Sequence, residues 1–282
     1  MTRKLITVVT GSNRGIGQGI VKLLAETKLD RPLIIYATSR AGNGNSDIKP
    51  QHDNEIRYEK LDVSDKKAIL NFLRMAVKQD PGSSAIDILI NNAGVNMNQD
   101  EDLEKATTTI DVNYRSLRHM CELFLGAGNM KSNKGARIVN VSSTGSSLSP
   151  YSDAIKQRFR SCSSISDVDA MAEEYLKAYD GGKLAQAGFG NGEAVSYQVS
   201  KSCINALTQV LGKLNPDVQI NCCCPGWVDT GMGNILGKPP KSIEEGARIP
   251  VRLAVGDIGS ESGKYWGNDG VMDRGYGKVQ PW

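Results

Sequence analysis

Leu5-Ile6-Thr7-Val8-Val9-Thr10-Gly11-Ser12-Asn13-Arg14-Gly15-Ile16-Gly17 is the stretch from which the rest of this chain can be read. Its first six residues form a short apolar run rich in β-branched side chains, the composition of a buried strand. Gly11 ends the run, and Ile16, Ile20, Val21, Leu23 and Leu24 then recur at helical spacing. The order is strand, glycine turn, helix. Glycines spaced G-x-x-x-G-x-G permit positive φ and let backbone N–H groups close on a pyrophosphate, while the helix N-terminus adds partial positive charge. Gly11, Asn13, Arg14, Gly15, Ile16 and Gly17 are therefore candidate dinucleotide contacts.

Downstream the same alternation continues. Residues 33–38 (LIIYAT), 56–61, 86–90 (IDILI) and 136–141 (ARIVNV) read as strands. Between two of them, residues 64–77 open with Ser-Asp and repeat apolar side chains at Ile69, Leu70, Leu73 and Ala76-Val77, one face of a helix. Continuously apolar strands alternating with helices imply a parallel sheet with right-handed crossovers on both faces. The expected architecture is α/β: a Rossmann-like, doubly wound parallel sheet of about seven strands. No linker, repeat or low-complexity tract divides residues 1–282, so one domain is expected.

Composition narrows the function. The 282 residues carry 34 Lys and Arg against 31 Asp and Glu, with no long block of like charge, so a nucleic-acid partner is not expected. The apolar run near the start is too short for a signal peptide, and no 18-residue apolar stretch occurs, so no membrane partner is expected either. Cys121, Cys162, Cys203 and Cys222-Cys223-Cys224 have neither disulfide-framework density nor C-x-x-C spacing. Free thiols in the cytoplasm, and no metal, are the expectation.

A carboxylate at the end of the second strand would mark NAD, through the ribose 2′-OH. Here the stretch is Tyr36-Ala37-Thr38-Ser39-Arg40. Arg40 and Arg14 can instead bracket a 2′-phosphate, so the predicted cofactor is NADP(H). Farther on, Tyr197 and Lys201 stand at i and i+4 on one helix face, where an ammonium can lower the pKa of a phenol and make it a usable acid. Tyr179 and Lys183 repeat the spacing, but Gly181-Gly182 interrupts any helix between them. Val199, Cys203, Ala206, Leu207, Val210 and Leu214 gather opposite Tyr197 and Lys201, which would leave that pair off the main apolar stripe.

In order, Thr10-Gly11 through Gly17, Leu61-Asp62-Val63, Asn91-Asn92-Ala93-Gly94, Asn113, Val141-Ser142-Ser143, Tyr197 with Lys201, and Pro225-Gly226-Trp227-Val228-Asp229-Thr230 resemble the short-chain dehydrogenase/reductase family over almost the whole chain. Cys223-Cys224-Pro225-Gly226-Trp227-Val228, Lys241-Ser242 to Pro250 and the final Trp282 look most like its monomeric NADPH-dependent carbonyl reductases. The resemblance implies that Ser143 bonds the substrate carbonyl and that Tyr197 is the acid. It also implies that Lys201 bonds the nicotinamide ribose and holds the phenol pKa down, while Asn113 anchors a water leading to Lys201. Asp62 and Val63 would meet the adenine, and Asn91, Ala93 and Gly94 would lie beneath the adenosine ribose. Val228 and Thr230 would contact the carboxamide, Pro225 and Gly226 would also bind the cofactor, and Trp227 and Met232 would form an apolar substrate wall. Cys224 would be either a thiol near the nicotinamide or an inert buried one. The activity implied is NADPH-dependent reduction of aldehydes, ketones or quinones to alcohols. Oxidation of alcohols and a non-catalytic NADP(H)-binding regulator are the alternatives.

Members of this family commonly carry the tyrosine a dozen or so residues after the serine, whereas Ser143 and Tyr197 are far apart. A helical insertion of about residues 146–192 accounts for the difference. In it Val168, Met171, Ala172, Tyr175, Leu176 and Tyr179 mark one amphipathic helix, with Ser166 as its cap and Gly181-Gly182 as its end. Related oligomers pair through the tyrosine helix, so this added face is expected to cover that surface and leave a monomer. The glycine-rich residues 181–192 suggest a mobile lip over the pocket.

Overall fold

The computed structural model describes residues 3–79, 85–190 and 195–282. Strand β1 (Leu5–Thr10) leads into helix α1 (Gly15–Glu26), followed by β2 (Leu33–Ser39), β3 (Glu55–Lys60), α2 (Lys66–Lys78) and β4 (Ile88–Asn91). Helix α3 (Leu103–Ile110) runs through a π-helical turn, Asp111–Arg115, into α4 (Ser116–Leu125). Then come β5 (Arg137–Val141), α5 (Asp153–Ser161), α6 (Ile165–Asp180), α7 (Ser196–Leu214), β6 (Gln219–Cys223), α8 (Ile243–Val255), β7 (Tyr265–Gly267) and β8 (Lys278–Gln280).

All eight strands form one sheet in the order β3-β2-β1-β4-β5-β6-β7-β8, parallel except for β8, which returns antiparallel to β7. Side chains alternate across it as a strand's twofold period requires. Ile6, Val8, Ile34, Tyr36 and Leu89 enter a core shared with α2, α4, α6 and α7, whereas Val9, Leu33, Ile35, Ala37 and Ile90 enter one shared with α1 and α8. Helices therefore cover both faces, and strands buried on both sides are mostly apolar, with Thr7, Thr38, Asn140 and Asn221 buried among them. Thr7 of β1 stands opposite Ile35 of β2 on one side and Ile88 of β4 on the other. The chain order reverses there, and the crevice at the C-terminal strand ends opens at that point.

Three features depart from expectation. Helix α6 is capped by Ser164, in a reciprocal box with Asp167, two residues ahead of Ser166. Helix α5 has its own cap, Ser152, and buries Ile155 and Phe159 one turn apart. The glycine-rich stretch expected as a mobile lip is anchored at Phe189, which is fully buried with its ring 5.5 Å from Tyr175 and 6.1 Å from Tyr151, while residues 181–183, 185 and 186 are exposed. Asn191 and Gly192, the end of that expected lip and insertion, lie outside the described residues. Among the described residues no helix is long and apolar enough to cross a membrane.

Candidate active site

The glycine turn is held from two sides. Ser12 N–H and its hydroxyl both donate to Thr38 O of β2, at 3.0 and 3.1 Å. Asn92 Nδ2 donates to Thr10 O at 3.0 Å and Gly11 O at 3.1 Å, while the amides of Asn92 and Ala93 both donate to Thr10 Oγ1 at 3.0 Å. Gly11 has φ +63° and Gly15 φ +55°. A methyl on Gly11 would come 2.9 Å from Ala93 Cα, so any side chain there would push the two loops apart. Arg14, at the start of α1, makes no side-chain capping bond, which leaves the helix N-terminus able to take an anion.

The other predicted cofactor residues surround this turn. Thr230 reaches it from beyond β6: its Cγ2 would touch a methyl on Gly15 at 3.2 Å. Arg14, Asn13 and Arg40 are exposed, and among the described residues neither arginine forms an ion pair. Asp62 Oδ1 accepts the Ser64 amide at 2.9 Å and hydroxyl at 2.7 Å, and these bonds, aided by the charge of Arg40, hold its carboxyl below the ordinary range. Ile16 and Val63 are partly buried, each against one of the two cores.

Two predicted contacts are turned elsewhere. Asn91 faces the core, donating to Asn140 Oδ1 at 2.9 Å, so its side chain is committed there. Val228 is buried against Gly246 of α8, where a methyl would come 2.5 Å from its Cγ2, so its side chain does not face the cleft. Pro225 presents its carbonyl to Lys241 Nζ at 2.7 Å, and Gly226 is tightly enclosed by Lys241 and Val271 O.

At the mouth of the crevice Ser143, Tyr197, Lys201, Asn113 and Gly94 come together. A methyl on Gly94 would lie 3.1 Å from Asn113 Oδ1 and 3.8 Å from Lys201 Nζ, while one on Gly145 would lie 3.4 Å from Ser143 Oγ and 3.5 Å from Tyr197 Cε1. Lys201 Nζ sits 5.5 Å from the Tyr197 ring centre and donates to Val141 O at 2.9 Å. A polar lattice ties α7 to the turn after β5. Ser142 Oγ donates to Asn205 Oδ1 at 2.6 Å, Asn205 Nδ2 donates to Ser146 Oγ at 2.8 Å, and Ser202 Oγ donates to Ser146 O at 3.2 Å. Ser143 Oγ accepts the Gly145 amide at 3.0 Å, so its hydrogen is left to donate.

Electrostatics at the pair run opposite to the sequence expectation. Burial pushes the Tyr197 phenol up to about 12, with the Ser143 hydroxyl pulling the other way, and burial pushes Lys201 down to about 8. Desolvation disfavours whichever form is charged, and at the phenol it outweighs the Ser143 bond. The phenol thus carries its proton near neutral pH, as an acid must. Helix α7 is buried nearly all round, so Lys201 is an interior cation, only 5% exposed; Leu214, by contrast, is 59% exposed at the helix end.

Asn113 lies in the π-helical turn, where its Oδ1 accepts Val95 N at 2.8 Å and its Nδ2 donates to Val95 O at 2.9 Å and Ser200 Oγ at 3.0 Å. With these bonds the side chain clamps the loop after β4 to α7. Cys224 is buried, its sulfur accepting the amides of Thr144 at 3.2 Å and Gly226 at 3.3 Å. Trp227 Nε1 donates to Gly233 O at 2.9 Å, and Met232 is 37% exposed nearby in sequence. The decoy pair separates: Tyr179 stays in α6, bonded to Glu101 O, and Lys183 lies exposed beyond the glycines. Sequence reasoning missed Thr10, Ser142, Ser146, Asn205 and Lys241 as site builders. Each is a polar residue at a strand end, in a turn beside one, on the tyrosine helix or just before α8, and only the tertiary contacts identify its partner.

These residues fit a nicotinamide dinucleotide. The glycine turn leaves room where a Cβ would collide, α1 offers an uncapped N-terminus, and Lys201 is a buried cation with donors beyond its one bond to Val141 O.

Comparison with known proteins agrees. The family model described as short chain dehydrogenase matches residues 5–154. (+)-Neomenthol dehydrogenase of Arabidopsis thaliana is 30% identical, covering 88% of this chain and 90% of its own. Carbonyl reductase [NADPH] 1 of Mus musculus is 29% identical, covering 98% of each. Among solved structures, salutaridine reductase from Papaver somniferum aligns with a TM-score of 0.73 at 27% identity, over 93% of this chain and 99% of its own. With its family model matched over more than half the chain and the sheet and site described above, this protein belongs to the short chain dehydrogenase family, oxidoreductases of alcohols and carbonyls that bind a nicotinamide cofactor.

Proposed function

We propose that the protein is an NADPH-dependent carbonyl reductase acting on uncharged aldehydes, ketones or quinones. The observation that carries this reading is the buried Lys201 one helical turn from Tyr197, with the Tyr197 ring facing Ser143 across Gly145. Tyr197 keeps its proton until a carbonyl oxygen begins to gain charge, and then transfers it. Ser143, whose oxygen is already engaged by Gly145 N, directs its hydrogen at the same carbonyl oxygen. Lys201 sets a fixed positive charge beside the phenol, which stabilises the phenolate left behind. The reduced nicotinamide, when bound, supplies the hydride to the carbonyl carbon.

The preference for NADP(H) over NAD(H) rests on Arg14 and Arg40. Both are exposed and neither forms an ion pair among the described residues, and Ser12 ties the turn that carries Arg14 to Thr38, two residues before Arg40. The similarity to carbonyl reductase [NADPH] 1 of Mus musculus supports the same preference. Helix α6 lies over α7 and α3, a cover that supports a monomer. Six free, buried thiols suit the reducing cytoplasm.

The deciding experiment follows NADPH absorbance across a panel of aldehydes, ketones and quinones. Turnover with several of them is the expected result. Quenching of NADPH fluorescence without turnover of any would replace the reading with that of a cofactor-binding regulator.

A further inference from the structure

The loop between β4 and α3 crosses the start of α7. Helix α7 is 19 residues long, and its capping position, Val195, has no polar side chain to receive the first amides. Their acceptors come from far away in the sequence. Glu101 Oε1 accepts Ser196 N at 3.4 Å, and the Ser196 hydroxyl also donates to the Glu101 carboxylate. Asn98 Oδ1 accepts Tyr197 N at 3.4 Å, and Asn98 Nδ2 donates to Gln198 Oε1 at 3.1 Å. From the other side, α6 holds the same residue: Tyr175 OH donates to Glu101 Oε1 at 3.4 Å, and Tyr179 OH donates to Glu101 O at 2.9 Å.

We infer that Glu101 is a positioning residue for the reduction, setting the first turn of α7, and with it the Tyr197 hydroxyl, against Ser143. A carboxylate at a helix N-terminus is favoured by the dipole and by charge-assisted bonds to its amides. Holding it half-buried is costly, and that burial raises its pKa against the pull of its Ser196 and Tyr175 donors. The bonds converge on Ser196, the residue immediately before Tyr197. A small tilt of that turn displaces the phenol from a site whose opposite wall, Ser143, is fixed by the turn after β5. Misplacement of a reacting group by a fraction of an ångström lowers the chemical rate more than it lowers cofactor binding. The role also gives the insertion a task beyond coverage, because α6 supplies two of the hydroxyls that hold Glu101.

This inference rests on the reductase reading, and the test separates the two. Wild type, Glu101→Gln, Glu101→Ala, Ser196→Ala and the Glu101→Ala/Ser196→Ala pair are compared for kcat, carbonyl KM, NADPH Kd by fluorescence, and Tm. Glu101→Ala is expected to lower kcat by about tenfold or more with NADPH Kd nearly unchanged. Glu101→Gln, which keeps an acceptor oxygen, should recover part of that loss, and the double variant should lose no more than the worse single one. Should Glu101→Ala fail to fold, the Gln variant carries the test alone, with a several-fold lower kcat at nearly unchanged Tm expected. Wild-type turnover matched by both Glu101 variants, even with lowered Tm, overturns the inference and leaves the reductase reading standing. Absence of turnover in wild type overturns both.

Discussion

Tyr197 and Lys201 show burial acting in opposite directions on two groups one turn apart. The phenol is raised and the ammonium lowered, because each loses solvent around its charged form. Tyr197→Phe is expected to cut kcat by at least about 100-fold while NADPH binding persists, read from steady-state kinetics and fluorescence titration. The ordinary lysine ammonium titrates at 10.5, and burial brings Lys201 down to about 8 in the fold. Between those values the unfolded chain binds a proton that the native chain lacks, so this group makes stability rise with pH across the window. Below it the penalty of holding a buried ammonium is fully present. Urea midpoints near pH 7 and pH 10 should therefore converge for wild type and Lys201→Met as pH rises, the variant being the more stable at about pH 7 and inactive throughout. A variant less stable than wild type at neutral pH would contradict this account. At this scale residue type and spacing named Tyr197 and Lys201, and the family resemblance named Ser143. Whether a side chain faces the cleft or the core, as with Asn91 and Val228, is a matter of packing and was not legible.

Elements with strong periodicity were readable, and short ones were not. Strands β1 to β5 emerged from apolar runs within a residue or two of their true ends, and α6 from its i, i+3, i+4 pattern. Strands β7 and β8 have three residues each, too few to show a period, and α5 is mostly polar although Ser152 followed by Ile155 and Phe159 could have signalled it. The π-helical turn carrying Asn113 leaves no trace in composition. Two predictions belong here. Replacing Ser164 by Ala removes one half of the α6 capping box and should cost about 1 kcal/mol, measured by chemical denaturation; no change would deny the cap its role. At the glycine turn, Arg40→Ala should raise KM for NADPH at least several-fold and leave KM for NADH nearly unchanged, narrowing the ratio between them. Equal effects on both cofactors would dismiss the 2′-phosphate contact.

For the whole molecule, the insertion covers with α6 a helical face that would otherwise be open. Val168, Met171, Ala172 and Tyr175 are buried there, Tyr114 OH donates to Asp169 Oδ1 at 2.7 Å, and Arg118 and Arg115 pair with Asp169 and Glu173 across the same contact. Light scattering of the purified protein should give the mass of one chain at micromolar concentration, whereas a stable dimer would mean that α6 is itself an interface. What the sequence determined alone was the first five strands of the sheet, its glycine turn, the Tyr197 and Lys201 pair and the presence of an added amphipathic helix. These are local signals, carried by residue type and by periods of two and 3.6. Tertiary structure decided that Lys201 is an interior cation, that burial sets the phenol as a retained acid, and that Glu101 joins the insertion to the start of α7. Those properties arise from desolvation and from contacts between residues distant in the chain, and no local pattern encodes either.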